Sequence, residues 1–282
     1  MSRPLLAMDG DSFAHRAYHA LPKRAFRRSD GGPGNALEGF TNMLLRFWQG
    51  ERPRAVIVAW DTLEGPTYRH TAFTGYQAGR EFEPELLEQL ALLPEFVAVA
   101  GIAYAKAPGY EADDFLAAAA AHEEGSGGTA LVATSDRDAF QLASERTTIL
   151  QPVRGSAPTR IGPAEVQERY GVDPVQVPDF IALRGDPSDK IPGARGVGEK
   201  GAANLLGLYG SLERLLEEGR FAAEAEALRL YRELATLDRS APLPPLPDIV
   251  PDWGALAAHA REMGLARLAG RLEEAGNEST PS

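Results

Sequence analysis

Short, continuously apolar runs that each hand over to an acidic residue constrain this chain more than any other feature. "LLAMDG" ends at Asp9, "AVIVAWD" at Asp61, and "ALVATSDRD" at Asp136 and Asp138. Segments 4–9, 54–60, 96–104, 129–134 and 146–152 are apolar throughout rather than alternating, as expected of strands covered on both faces. Helical periodicity lies between them, at 36–49, 84–93, 113–123 and 138–144. This alternation predicts an α/β layered domain with a mainly parallel sheet. Beyond residue 163 the pattern turns helical, at 163–170, 176–183, 199–207, 211–217, 221–237 and 254–275. The proline-rich stretch "APLPPLPDIVP" reads as an extended surface connector, and "GNESTPS" as a frayed tail.

Open α/β sheets build sites outside the carboxyl ends of their strands. Asp9, Asp61, Asp136 and Asp138 are therefore expected on one rim. "GYEADDF" adds Glu111, Asp113 and Asp114 after the third predicted strand. Taken alone, that stretch is a helix start, where acids complement the unpaired N–H groups and the helix dipole. "RGDPSDK" adds Asp186 and Asp189 from the helical half. A single Asp after a strand is turn chemistry. Acids at four strand ends in a row need another explanation, because carboxylates this close repel unless a cation neutralises them. Oxygen ligands without Cys or His select Mg²⁺ or Mn²⁺. Nine acids exceed the needs of one Mg²⁺, so two ions are expected, a pairing suited to hydrolysis of phosphate esters. Helix geometry puts Glu111 and Asp114 on one face and Asp113 elsewhere. Glu111 and Asp113 are the nearer expected ligands of that group.

Composition narrows the classes. With 282 residues, 44% of them hydrophobic, the chain can bury a full core. It has no cysteine, which excludes disulfides and thiolate metal sites and fits a cytoplasmic protein. The N-terminal apolar stretch is too short for a signal peptide. A net charge of −11 argues against phosphate binding over the whole surface, but not against a local grip. Only four lysines occur, and two of them, Lys190 and Lys200, fall near one hairpin. That hairpin, "IPGARGVGEKGAANLL", reads as helix, tight turn, helix. Gly196 and Gly198 flank Val197, and Lys200 opens the second helix. Glycines admit close backbone approach, and a helix start can cradle a phosphate. The pattern is similar to the helix-hairpin-helix element that holds DNA backbone without reading bases.

Six ordered motifs carry a wider resemblance: "LLAMDG", "WDTLEGPTYRHTAFTGYQAGR", "GYEADD", "TSDRDAFQL", "LRGDPSDKIPGARGVGEKGA" and "YGSLERLLE". From about residue 4 to about 275 the chain resembles the 5′-nuclease (flap endonuclease) family, which includes the 5′→3′ exonuclease domain of bacterial DNA polymerase I. The resemblance implies a PIN-like three-layer core over 1–168 and a helical region over 169–282, with the helix-hairpin-helix at about 176–207. It implies structure-specific cleavage of DNA at 5′ flaps, nicks, gaps and 5′ ends, in replication or repair, by a stand-alone monomer. Asp9, Asp61, Glu111, Asp113 and Asp114 match one group of metal-site acids; Asp136, Asp138, Asp186 and Asp189 match the other. Residues 66–95 match a helical arch for a single-stranded 5′ end. A K⁺ ion is implied at carbonyls around Gly193 to Val197. Lys190, Arg195, Gly196, Gly198 and Lys200 fall on the DNA-gripping hairpin.

Departures from the pattern matter too. Gln77 stands where the arch motif has a lysine that meets the scissile phosphate. Glutamine donates a hydrogen bond but supplies no charge, a loss on the order of 10²-fold in rate unless Arg69 or Arg80 compensates. Lys190 replaces a usual asparagine, and Gly201 a usual threonine. Tyr76 can stack on an unpaired base or serve the core. Arg24, Arg27 and Arg28 form a basic loop that either meets duplex or is simply solvated. Two other readings remain open at this point. One is a non-catalytic DNA-structure binder, on account of Gln77. The other is a haloacid-dehalogenase-type phosphatase with Asp9 as nucleophile and Asp11 as acid/base.

Overall fold

The computed structural model describes residues 3–79, 81–153 and 155–279. Six strands form one sheet. β1 (Leu5–Asp9) lies between β2 (Ala55–Ala59) and β4 (Ala130–Ala133), both parallel to it, with Met8 level with Val58 and Ala133. β3 (Ala103–Ala105) extends the sheet beyond β2, and β5 (Thr147–Gln151) beyond β4. β6 (Thr159–Ile161) closes that edge antiparallel to β5. Every residue of β1, β2 and β4 is buried, as continuous apolar runs require.

Alternate residues of β1 feed two cores. Leu6 and Met8 join α1 (Gly10–Ala20), α2 (Asn35–Glu51) and α4 (Pro84–Ala98) on one face. Leu5 and Ala7 join α5 (Ala112–Gly125), whose run of alanines from Ala117 to Ala120 is buried. Small side chains let α5 lie close to the sheet while helices of the second half cover its other side. Those are α6 (Pro163–Tyr170), α7 (Val177–Arg184), α8 (Glu199–Tyr209), α9 (Leu212–Glu217) and α10 (Ala225–Ala235). The short α3 (Tyr68–Ala72) touches α10. The connector 241–251 crosses back beside β2, where Ile249 N–H donates to the Arg54 carbonyl at 2.8 Å. It delivers α11 (Trp253–Glu262) and α12 (Ala266–Ser279) to the α1/α2 core.

Several expectations need correction. The apolar run 96–104 is not one strand: α4 continues to Ala98 with Phe96 and Val97 in the core, and only Ala103–Ala105 pairs with β2. Segment 138–144 is a 3-10 turn over Asp138–Leu142. Residues 254–275 form two helices, broken at Gly264 with φ 82°. The proposed arch segment contributes α3, turns over 74–79 and an α4 that packs on α1 and α2; buried Gln89 accepts from Ala36 N–H at 2.8 Å. No helix among the described residues is long and apolar enough to cross a membrane.

Candidate metal-dependent active site

The strand ends deliver the acids as the apolar runs foretold. Asp9 leaves β1 and caps α1, one oxygen accepting Ser12 N–H at 2.9 Å and the other the Thr134 hydroxyl at 2.7 Å. Asp61 follows β2, and its Oδ1 accepts Ala112 N–H at 2.8 Å, in the first turn of α5. Asp136 follows β4 and accepts Asp138 N–H at 2.8 Å. Main-chain donors thus fix how each carboxylate leaves its strand, before any ligand is considered.

The electrostatics tie these acids to one another. Burial pushes the Asp9 carboxyl up to about 7, and the charges of Asp61 and Asp136 push in the same direction. Burial also raises Asp113 well above the carboxylate range, with Asp136, Asp9, Asp61 and Asp138 adding to it. Asp138 is raised by burial and then by Asp136, Asp189 and Asp186. Asp113 Oδ1 is buried and has no hydrogen-bond partner. A buried carboxylate oxygen without a donor, facing four other acids, is costly unless a cation meets it. Among the described residues no group of three or more His, Asp or Glu side chains is already placed to hold a metal ion. Five of the acids line two clefts. One, of about 330 Å³, is lined by Asp61, Thr67, His70, Tyr76, Gln77 and Glu111. The other, of about 810 Å³, is lined by Asp136, Asp138, Arg184, Asp186, Ser188 and Glu199. The all-oxygen donor set and the orphaned Asp113 oxygen fit hard divalent cations.

The loop after α7 supplies the remaining acids. Asp186 and Ile191 exchange main-chain hydrogen bonds at 2.8 Å, closing a tight loop. Asp186 accepts Ser188 N–H at 2.8 Å and pairs with Arg184 at 3.2 Å. Asp189 is raised, chiefly by burial, and accepts the Gln77 side-chain amide at 2.9 Å. Gln77 N–H also donates to the Asp189 carbonyl at 3.1 Å. The Tyr76 hydroxyl donates to Glu111 at 3.0 Å and lies 3.4 Å from Asp189. The turn over 74–79 therefore straddles the two acid groups.

Three expected roles do not match this geometry. Asp114 is fully buried, and both its oxygens accept from the Arg69 guanidinium, at 2.9 and 2.8 Å. It also accepts from the Glu111 and Asp238 N–H groups, so it anchors the α5 start rather than facing the cleft. Arg69 is 1% exposed and donates further to the Leu234 and Thr236 carbonyls at the end of α10, which leaves it no reach to a phosphate. Tyr76 is 3% exposed, with its ring edge-on to His70, and so presents no face to a base. Arg80 lies outside the described residues. Glu111 does sit at the rim: burial raises it to about 7, Thr67 donates to it at 2.8 Å, and Arg69 lies 3.3 Å away.

Around the hairpin, Lys190, Arg195, Gly196, Gly198 and Lys200 are all exposed. The loop depends on glycine where its two arms touch. A Cβ on Gly193, at φ 76°, would come within 2.5 Å of Gly185 N. Lys190 itself adopts φ 60°, a conformation that asparagine tolerates better. In the basic loop, Arg24 and Arg27 are exposed, but Arg28 is buried against Asp30 and Glu88, which rules it out as a duplex contact. The phosphatase reading also fails, because Asp11 is 6% exposed and its Oδ2 accepts Asp61 N–H at 2.7 Å. Sequence reasoning missed Thr67 and Thr134 as carboxylate donors. Only Thr134, two residues before Asp136 at a strand end, left a positional cue.

Comparison with known proteins agrees with this architecture. The family model described as "5'-3' exonuclease, N-terminal resolvase-like domain" matches residues 4–171, and "5'-3' exonuclease, C-terminal SAM fold" matches 172–251. DNA polymerase I of Mycobacterium bovis is 41% identical over 255 residues, covering 86% of this chain and 28% of that protein. The thermostable DNA polymerase I of Thermus aquaticus is 40% identical over 249 residues, covering 85% and 29%. The chain thus spans under a third of the length of these curated relatives. Among solved structures, T5 5'-exonuclease with bound divalent metal ions (zinc) superposes with a TM-score of 0.69 at 18% identity, covering 97% of this chain and 100% of that one. The catalytic core of Rad2 in complex with DNA substrate gives 0.62 at 16% identity, covering 98% and 92%. At these identities the two structures share a fold with this protein. The matched models extend over most of the chain, on a mainly parallel sheet whose strand ends gather acids, and the chain belongs to the 5′-3′ exonuclease family.

Proposed function

We propose that this chain hydrolyses DNA phosphodiesters from 5′ ends and 5′ flaps, next to single-strand/duplex junctions, as a monomer using two Mg²⁺ or Mn²⁺ ions. The observation that carries the reading is the buried, unpartnered Asp113 oxygen among Asp9, Asp61, Asp136 and Asp138. Asp9, Asp61, Glu111 and Asp113 would hold one ion, and Asp136, Asp138, Asp186 and Asp189 the other. Bound there, such ions supply Lewis-acid chemistry at the scissile phosphate. The chain's own part is orientation: Thr134 and Ser12 aim Asp9, the α5 start aims Asp61, and Gln77 aims Asp189.

In this reading residues 1–168 are the nuclease core and the hairpin from about 176 to 207 grips duplex backbone through Lys190, Arg195, Lys200 and the N–H groups at Gly196 and Gly198. A K⁺ ion at carbonyls around Gly193 to Val197 belongs to the same proposal. The relatives named DNA polymerase I and the DNA-bound Rad2 core support DNA as the partner. One observation favours a weaker, binding-dominated variant: the Gln77 amide is committed to Asp189 and brings no positive charge to the cleft. Asp136→Asn separates the readings. Loss of cleavage with DNA binding retained supports the enzyme; unchanged cleavage means the second ion site is misassigned.

A further inference from the structure

We infer that Asp11 is a positioning residue for Asp61, a tenth acid that sets the site without ligating its cations. This rests on the two-cation reading above. Asp11 occupies the first turn of α1, two residues after Asp9, and only 6% of it is exposed. Burying a carboxylate beside several others is unfavourable, so a specific contact must hold it there. One such contact is the main-chain N–H of Asp61, donated to Asp11 Oδ2 at 2.7 Å.

The bond acts at a point where the backbone has no sheet partner to direct it. β2 ends at Ala59, and Trp60 N–H makes the last strand-like bond, to the Ala105 carbonyl at 2.9 Å. Beyond it, Asp11 takes the next N–H and fixes the turn at Asp61. Asp61 Oδ1 then accepts Ala112 N–H at 2.8 Å, which ties β2 to the start of α5 between Glu111 and Asp113. A relay of two hydrogen bonds thus links α1, the β2 end and α5. Release of the first bond frees Asp61 and loosens its hold on the helix that carries Asp113. Gly10 supports the same geometry, because a Cβ there would come within 2.4 Å of the Trp60 ring, so the α1 start and the β2 end are packed directly together.

The role separates from direct ligation by substitution. Asp11→Asn keeps an oxygen acceptor of the same size for Asp61 N–H and removes the charge. Asp11→Ala removes both. Outer partners of metal ligands typically contribute about 10–100-fold in metal affinity. Mn²⁺ binding to the DNA-free protein is measured by calorimetry or electron paramagnetic resonance, beside melting temperature and KM for a flap duplex. We expect Asp11→Ala to weaken Mn²⁺ binding about tenfold or more with KM for DNA little changed, and Asp11→Asn to stay within about threefold of the parent. The melting temperature shows whether each variant is folded, and a tenfold loss in a folded Asp11→Asn overturns the positioning role in favour of direct ligation or charge. Parental Mn²⁺ affinity in a folded Asp11→Ala also overturns it. Failure of the unmodified chain to bind Mn²⁺ overturns the two-cation reading itself.

Discussion

Arg69 holds Asp114 with both arms of its guanidinium, at 2.9 and 2.8 Å, in a pocket where neither residue is more than 1% exposed. The same arginine reaches the carbonyls of Leu234 and Thr236 and lies 3.3 Å from Glu111. One buried fork thereby joins α3, the start of α5 and the end of α10. Removing one partner of a buried pair strands the other charge, at a cost of about 3–5 kcal/mol. Arg69→Ala should therefore lower unfolding free energy by about that amount in urea titrations. A loss below about 1 kcal/mol would mean that the fork is not holding these elements together.

Gln77 offers a gain-of-function test. Its amide donates to Asp189, and its backbone sits at φ 46°. Gln77→Lys brings a positive charge to the rim of the cleft. A single transition-state donor is worth about 10²–10³-fold in rate. Single-turnover cleavage of a flap duplex should accelerate about tenfold or more. An unchanged rate would show that the cleft obtains its positive charge elsewhere.

The raised carboxyls give the metal-free protein a defined pH dependence. Asp9 and Glu111 rise from 3.8 and 4.5 to about 7 on folding, so the folded state holds their protons more tightly than the unfolded state does. The associated stability is complete below about pH 4, is lost as pH rises through about 7, and is level above that. Thermal melts in a chelator should show the melting temperature falling across this window. Added Mg²⁺ should raise it more at pH 8 than at pH 5, because ions compete with protons for these oxygens. A metal-free melting temperature that climbs from pH 5 to pH 8 would contradict this.

The hairpin can be strained without substituting an acid. Gly193→Ala forces a Cβ against the Gly185 backbone at a positive φ, a strain on the order of 1–3 kcal/mol. DNA affinity, measured in Ca²⁺ to prevent turnover, should fall about tenfold, and more than Mn²⁺ binding to the free protein does. Undiminished DNA affinity would remove the hairpin from the binding surface.

Legibility followed the strength of local signals. Strands β1, β2 and β4 were readable because they are buried on both faces and therefore apolar at every position. Helix α6 was readable to the residue, since Pro163 opens it and Gly171, at φ 70°, closes it. Helix α1 was missed. Its buried Phe13, Ala14, Ala17 and Tyr18 do repeat at helical spacing, but Asp11, His15, Arg16 and His19 interrupt them. β3 was overextended because Phe96 and Val97 are as apolar in a helix as in a strand, and only tertiary pairing to β2 separates the two. Strand ends announced the acids, while the role of each depended on partners far along the chain. Nothing near Asp114 in sequence shows that Arg69 and Asp238 occupy its oxygens. Tyr76 likewise reads equally as a stacking or a core residue until the fold buries it against Glu111.

In the proposed function the acids around Asp113 form a cation site at which DNA is cut. A 5′-labelled flap duplex incubated with Mn²⁺ and either the parent chain or Asp113→Asn tests it most directly. The parent should release a short labelled fragment, and the variant should lose about 10²-fold or more in rate with flap binding intact. Equal cleavage by both proteins, or binding without cleavage by the parent, would contradict it.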